Sequence, residues 1–308
     1  MDLTAIRERL TVQAIHWAPK GLCSAAVGWG ARTRLPRPLR GPTYRIFSQI
    51  VGARPEEAEL PLEEYPSLSH FFARRLRSGI RQVDGDETAL CCPCDGVIAA
   101  LGEVTRDRMI QAKGKDYSLT ELLMDEERAS TLAAGTYVTI YLSPRDYHRV
   151  HAPVAADLIG YDYVPGTHFP VNPLFSRSVN DLMANNERVV FHFDTEVGAL
   201  AMVMVAALGV SNIEVAHDRL QTRYLRRDRC MRKIRFDQPA ATARGAEVGT
   251  FNLGSTTIMV FQPNTVDLSA IQVGDSVRFG QSIGQLLSSG ARERSPQSEQ
   301  ASKKQLVH

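Results

Sequence analysis

Between about residue 88 and residue 287, short apolar and β-branched runs alternate with Gly, Pro, Asn and Asp. That punctuation leaves room for strands and little else. The runs 96–101, 136–142, 188–193, 201–206 and 256–261 are each of strand length. One helix is expected to interrupt them, over 119–124. The expected class is therefore α+β, with a β-rich core from about residue 51 to 287. Residues 273–284 (Val273 to Gly284) carry a turn-and-strand pattern like that of a barrel-sandwich hybrid.

The first fifty residues have a different texture. Leu3, Ile6, Leu10, Ile15, Trp17 and Leu22 recur at helical spacing, and Pro19 and Gly21 interrupt them. Two short amphipathic helices around a break fit this pattern. Eight basic residues (Arg7, Arg9, Lys20, Arg32, Arg34, Arg37, Arg40, Arg45) stand there against Asp2 and Glu8. The net charge of the whole chain is only +2, so this region of about +6 is a basic arm on a near-neutral body. An arm of this kind fits an anionic lipid surface or a nucleic acid. The common alternative on pattern alone is a helix packed on its own domain. Residues 34–42, with three prolines, read as a linker, followed by a helix over 44–51. Ser67 opens another helix, and residues 288–308, rich in Ser and Gln, read as a disordered tail.

Composition removes several classes. With 308 residues, 44% hydrophobic and 23% charged, the chain is neither disordered nor short of a core. No apolar run approaches the roughly 20 residues of a membrane-spanning helix. No secretory leader is expected. Five cysteines make no disulfide framework at this length, which favours a reducing compartment. Cys91 and Cys94 form a C-x-x-C, but no second pair lies at zinc-ribbon spacing. The basic run 219–235 has few aromatic residues, which weakens a nucleic-acid platform.

Three segments carry chemistry-bearing residues. The first is Pro93-Cys94-Asp95-Gly96. In the second, Asp146 precedes His148 and His151. In the third, Gly254 precedes Ser255. Two close histidines suggest a metal, but a third and fourth ligand are missing, so no metal is expected. A histidine acting as general base, oriented by Asp95 or Asp146, is the stronger reading. A serine directly after glycine can turn on the preceding carbonyl if a base is near. The bland readings are histidines in a strand edge and a Gly-Ser turn opening a strand. Ser255 also lacks the G-x-S-x-G setting of a hydrolase nucleophile.

Taken together, the segments resemble the bacterial, membrane-associated phosphatidylserine decarboxylases. The resemblance rests on Pro93-Cys94-Asp95-Gly96, on Tyr147-His148-Arg149-Val150-His151-Ala152-Pro153, and on Leu253-Gly254-Ser255-Thr256. Tyr163-Val164-Pro165-Gly166, Phe169 to Pro173 and Asn186-Glu187-Arg188-Val189 also look like the family. It covers roughly residues 60–287. Ala152 replaces a commoner Met, Cys94 a usual Ala, and 213–220 lacks a Trp-Gly pair.

The resemblance implies a zymogen that cuts itself. Asp95 orients His151, His151 takes the Ser255 proton, and Ser255 attacks the Gly254 carbonyl. Elimination and loss of ammonia then leave a covalent pyruvoyl group, the cofactor, at position 255. A β chain of residues 1–254 and an α chain of residues 255–308 result, as a heterodimer or a larger assembly of it. The pyruvoyl ketone forms a Schiff base with phosphatidylserine and accepts the electrons left by CO₂. His148 is the implied proton donor, Asp146 an assistant, and phosphatidylethanolamine the product, a step of phospholipid biosynthesis. The implied place is the cytoplasmic face of the cell membrane, held peripherally through residues 1–50, with no nucleic-acid partner. Two rivals make different predictions. A soluble amino-acid substrate leaves the basic arm without a purpose. A non-catalytic carrier predicts one intact chain without a carbonyl.

Overall fold

The computed structural model describes residues 13–14, 20–112, 114–208, 212–225, 230–252 and 255–287. The first expected amphipathic helix, most of the break after it, Gly254 and the expected tail lie outside these residues.

Two helices open the described chain, α1 (Lys20–Arg32) and α2 (Arg37–Val51). The expected linker over 34–42 is thus mostly helix, because its prolines sit where a helix tolerates them. Pro38 is in the first turn, whose N–H groups have no intrahelical partner anyway. Pro42 lies inside the helix, so the helix forgoes one backbone bond there. Gly52 ends α2 at φ +76°, and its N–H donates to Ser48 O. Helix α2 buries Tyr44, whose ring stacks on Phe71 at 5.1 Å and whose hydroxyl donates to Tyr65 O at 3.0 Å. Tyr44, Ala58, Tyr65 and Phe71 form a small core separate from the main one. The opposite side of the pair leaves large apolar groups in the open: Trp29 is 73% exposed and Ile50 79%, with Leu39 and Ile46 also exposed.

The helix opened by Ser67 is a single short one, α3 (Leu68–Phe72). Strands β1 (Ala89–Cys91), β2 (Gly96–Glu103), β3 (Arg108–Ala112) and β4 (Lys115–Ser118) follow. Next come α4 (Leu119–Leu123) and α5 (Glu126–Thr131). The expected helix over 119–124 is α4. Ser118 Oγ accepts the Glu121 N–H at its start, and Met124 stops it at φ 53°. Beyond lie β5 (Thr136–Leu142), β6 (Arg149–His151), β7 (Ala156–Val164), α6 (Pro173–Ser178) and α7 (Leu182–Asn185). The remaining strands are β8 (Arg188–Thr195), β9 (Gly198–Ala206), β10 (Ile213–Val215), β11 (Arg232–Thr242), β12 (Glu247–Phe251), β13 (Ser255–Phe261), β14 (Val266–Asp267), β15 (Ser276–Val277) and β16 (Ser282–Leu286).

One antiparallel eight-stranded sheet dominates, in the order β11-β7-β8-β9-β13-β5-β2-β15. Small sheets β10-β12-β6 and β1-β16-β14 and the hairpin β3-β4 complete the fold. The α+β class holds. The core is β-rich as expected, built from several sheets, and among the described residues the large sheet ends in two separate edges rather than closing into a barrel. Strand β13 runs near its centre, paired along its whole length with β9 and β5, and every residue in it is buried. A strand covered on both faces reads as a continuous apolar run, which is why 256–261 shows no alternation. At one edge, β11 carries Arg232, Lys233, Arg235 and Pro239, with an irregularity in its pairing between Arg235 and Ala240. Charge, proline and a bulge blunt an open edge against pairing with another chain. The basic run of 219–235 is therefore, in its described second half, the solvated face of an edge strand.

Candidate active site

Ser255 is the first residue of β13 and is fully buried, opposite Leu142 on β5 and Ala206 on β9. Its Oγ lies 3.5 Å from His148 Nδ1. The partners of His148 settle its tautomer. Its Nε2 is 3.0 Å from Ser143 O, a carbonyl that only accepts, so Nε2 carries the proton and Nδ1 presents a lone pair to Ser255. The Ser143 carbonyl is itself held in place. Asp146 Oδ2 accepts from both the N–H and the hydroxyl of Ser143, each at 2.7 Å. Asp146 thus acts on His148 through a turn rather than by contact. Phe72, the last residue of α3, stacks on the imidazole at a centroid distance of 4.0 Å. Burial in this apolar surround, helped by the nearby Arg74 cation, pushes the His148 pKa down to about 3. The ring is a neutral base at neutral pH.

His151, at the end of β6, is placed differently. Its Nδ1 donates to Gly245 O at 2.8 Å, its Nε2 accepts from the Tyr147 hydroxyl at 3.0 Å, and Phe279 stacks on it at 3.7 Å. Burial pushes its pKa down to about 4. Both ring nitrogens are occupied, and neither by Ser255. Asp95 accepts from Arg81 at 2.7 Å and from the Phe279 N–H at 2.8 Å. Arg81 also holds Glu57 at 3.0 Å. The expected order Asp95, His151, Ser255 is therefore not a continuous hydrogen-bonded chain in this structure. Asp95 reaches His151 through Phe279, whose backbone it holds and whose ring covers the imidazole. A Cβ on Gly96 would lie 2.5 Å from Tyr141 O, so the glycine after Asp95 lets β2 close against β5.

Beside the site lies a cavity of about 350 Å³, walled by Val97, Ile98, Tyr141, Val171, Met183 and Thr256 among others. It is mostly apolar and adjoins the residue after Ser255. The buried hydroxyl of Thr256 has no hydrogen-bond partner among the described residues, while that of Thr257 faces the Cys94 thiol. Cys91, Cys92 and Cys94 are buried too, and desolvation raises all three thiols, Cys91 to about 11. Such thiols stay protonated and are poor nucleophiles or metal ligands. Asp125, Asp162 and His192 lie close enough to share an ion, but the Arg235 guanidinium donates to both carboxylates and His192 Nε2 donates to Asp162 at 2.9 Å.

Sequence reasoning singled out Ser255, His148, His151, Asp95 and Asp146. It missed Phe72, Phe279, Gly245 and Arg81, which hold them. Their partners are distant in the chain, and no spacing rule links them. Tyr147 was quoted only as part of a motif.

The fold and this buried Ser–His pair define a β-rich α+β enzyme core whose serine opens the central strand. A family model for phosphatidylserine decarboxylase matches residues 68–285. Relatives named phosphatidylserine decarboxylase proenzyme include one from Myxococcus xanthus, 38% identical over 267 residues, covering 86% of this chain and 94% of that protein. One from Anaeromyxobacter is 37% identical over 281 residues, covering 91% and 99%. One from Bordetella bronchiseptica is 40% identical over 285 residues, covering 90% and 94%. The chain belongs to the phosphatidylserine decarboxylase family.

Proposed function

We propose that this chain converts phosphatidylserine to phosphatidylethanolamine and CO₂, using a pyruvoyl group made from its own Ser255. The observation that carries the reading is the 3.5 Å approach of the Ser255 hydroxyl to the neutral Nδ1 of His148, in a buried site. A proton-accepting nitrogen beside a serine at the head of a strand fits an N→O acyl shift. Ser255 Oγ bonds to the Gly254 carbonyl carbon, the peptide C–N bond breaks, and the serine nitrogen takes the proton. Elimination across Cα–Cβ frees the Gly254 carboxylate, and hydrolysis releases ammonia. When present, the ketone supplies an electron sink for the loss of CO₂. In this reading His148, held by Ser143 and Phe72, returns to position 255 a proton that its Nδ1 must first take up. The apolar cavity beside Thr256 suits the uncharged part of a lipid headgroup region.

The division of labour follows the resemblance: Asp95 and His151 serve the cut, and His148 serves decarboxylation. For this, His151 must exchange Gly245 O or the Tyr147 hydroxyl for Ser255. The contact itself favours a second reading, in which His148 takes the Ser255 proton as well. Processing of His148→Ala separates them. Under the first reading the variant is cut, and its decarboxylation falls about 10²–10⁴-fold. Under the second it stays whole. The function as such is tested by intact-mass spectrometry, which should find two fragments, the smaller blocked at its N-terminus. Ser255→Ala should give one inactive chain. Active protein with an uncut chain would refute the reading.

The exposed apolar groups Trp29, Leu39, Ile46 and Ile50 of α1 and α2 support peripheral attachment to a cytoplasmic membrane face, whereas Arg37 and Arg45 pair with Glu64 and Glu63 and Arg40 holds the Leu35 and Glu63 carbonyls. No helix among the described residues is long and apolar enough to cross a membrane.

A further inference from the structure

Arg74 is a buried cation with no carboxylate in ion-pair contact among the described residues: Glu57, Asp95 and Asp146 favour its charge from a distance, but the cost of burial outweighs them and lowers its pKa. Its residue is only 3% exposed, and its buried Nε has no hydrogen-bond partner among the described residues. Among the described residues, no ion pair within 4.0 Å reaches its guanidinium. Its guanidinium lies over the Phe71 ring, 5.2 Å from its central carbon to the centroid. An unpaired buried charge is costly, and a cation–π contact offsets only part of the cost.

The guanidinium helps to wall a cavity of about 240 Å³, distinct from the apolar one. The other charged groups there are largely matched. Arg81 is held by Asp95 and Glu57, Arg54 pairs with Glu57, and Arg145 with Asp146. Arg278 stands exposed on the rim. The lining therefore has a positive surplus centred on Arg74 and Arg278.

The cavity is also close to the serine. Gly96 is part of its wall, and the next residue, Val97, pairs with Tyr141, which pairs with Thr256. Gly96 and Ser255 thus sit at the same end of three adjacent strands, two strand spacings or about 10 Å apart. Helix α3 ties the two places together, since Phe72 stacks on His148 while Phe71 lies beneath Arg74.

We infer that Arg74 is the receptor for a phosphate-type anion, the phosphodiester of the substrate headgroup. This rests on the substrate named above. The headgroup's carboxylate is the poorer candidate. Decarboxylation removes that charge, so a cation gripping it stabilises the ground state and slows the reaction. The phosphodiester keeps its charge throughout. A guanidinium there anchors the lipid a few bonds from the amine and adds nothing against CO₂ loss.

The test uses full-length Ser255→Ala protein, so that binding is read without turnover. Titration calorimetry with glycerophosphoserine and with inorganic phosphate, and cosedimentation with phosphatidylserine vesicles, compare it with the same protein carrying Arg74→Gln. The expected result is a glycerophosphoserine affinity weakened at least about tenfold. Parallel loss of phosphate binding marks a general anion site. Loss of glycerophosphoserine binding alone marks a headgroup site. Unchanged affinity for both overturns the inference. Arg74→Lys, which keeps the charge over Phe71, covers the case in which Arg74→Gln does not fold. In otherwise wild-type, self-processed enzyme it should raise KM severalfold with kcat within about twofold. A fall in kcat at unchanged KM also overturns it. If phosphate binding depends on Arg74 but the wild-type enzyme leaves phosphatidylserine untouched, the anion site stands and the substrate assignment fails.

Discussion

At the scale of single residues, burial decides what each histidine does. His148 and His151 are held neutral in the fold, with pKa values pushed down to about 3 and about 4. An unfolded histidine titrates near 6.5. Between these limits the unfolded chain binds more protons than the folded one, so stability is full above about pH 6.5 and declines as the pH falls. Each ring withdraws about 1.4 kcal/mol per pH unit in that window. Thermal melts of the uncut Ser255→Ala protein from about pH 7 to pH 4 should show this decline. Adding His148→Gln should make it shallower, and an equally steep decline would mean that the ring charges within the fold. Gly96 offers a steric test. Gly96→Ala drives a methyl group against the Tyr141 carbonyl, and strands β2 and β5 cannot both keep their places. A loss of about 2 kcal/mol or more is expected in denaturant melts of the uncut protein.

Among the elements, α2 shows why a proline-rich stretch misled the sequence reading. Proline excludes helix only where its missing N–H and its ring meet an existing turn, and Pro38 meets none. The helix is stabilised by Tyr44 against Phe71 and Tyr65, contacts that no local window contains. The same element offers its other side outward. Ile46→Asp with Ile50→Asp should lower cosedimentation with anionic vesicles at least about tenfold, since each isoleucine buried in lipid contributes roughly 1.5–3 kcal/mol. Self-processing should be unaffected, because neither residue touches the serine's surroundings. Retained vesicle binding would place the anchor elsewhere.

On the scale of the whole molecule, the site of the proposed cut determines how the two chains hold together. Residue 255 opens β13, which pairs with β9 on one side and β5 on the other. Later strands of the same segment pair with β1 and β2. After a cut before residue 255, the α chain would keep a central strand of the main sheet. The two fragments should therefore copurify under native conditions and separate only in denaturant. Free α chain in a native gel filtration would contradict this. The amino-acid order by itself determined the strand-rich texture, since burial on both faces of a strand writes an apolar run into the chain. It also singled out four candidates for chemistry, Asp95, the two histidines and Ser255, because those side chains have few other uses in such motifs. It did not determine which histidine faces the serine, that the sheet stays open, or that Arg74 is buried with no ion-pair contact among the described residues. Those depend on β5, β6 and β13 and on Phe72 and Phe279 meeting across long stretches of chain, and only the folded packing sets such distances.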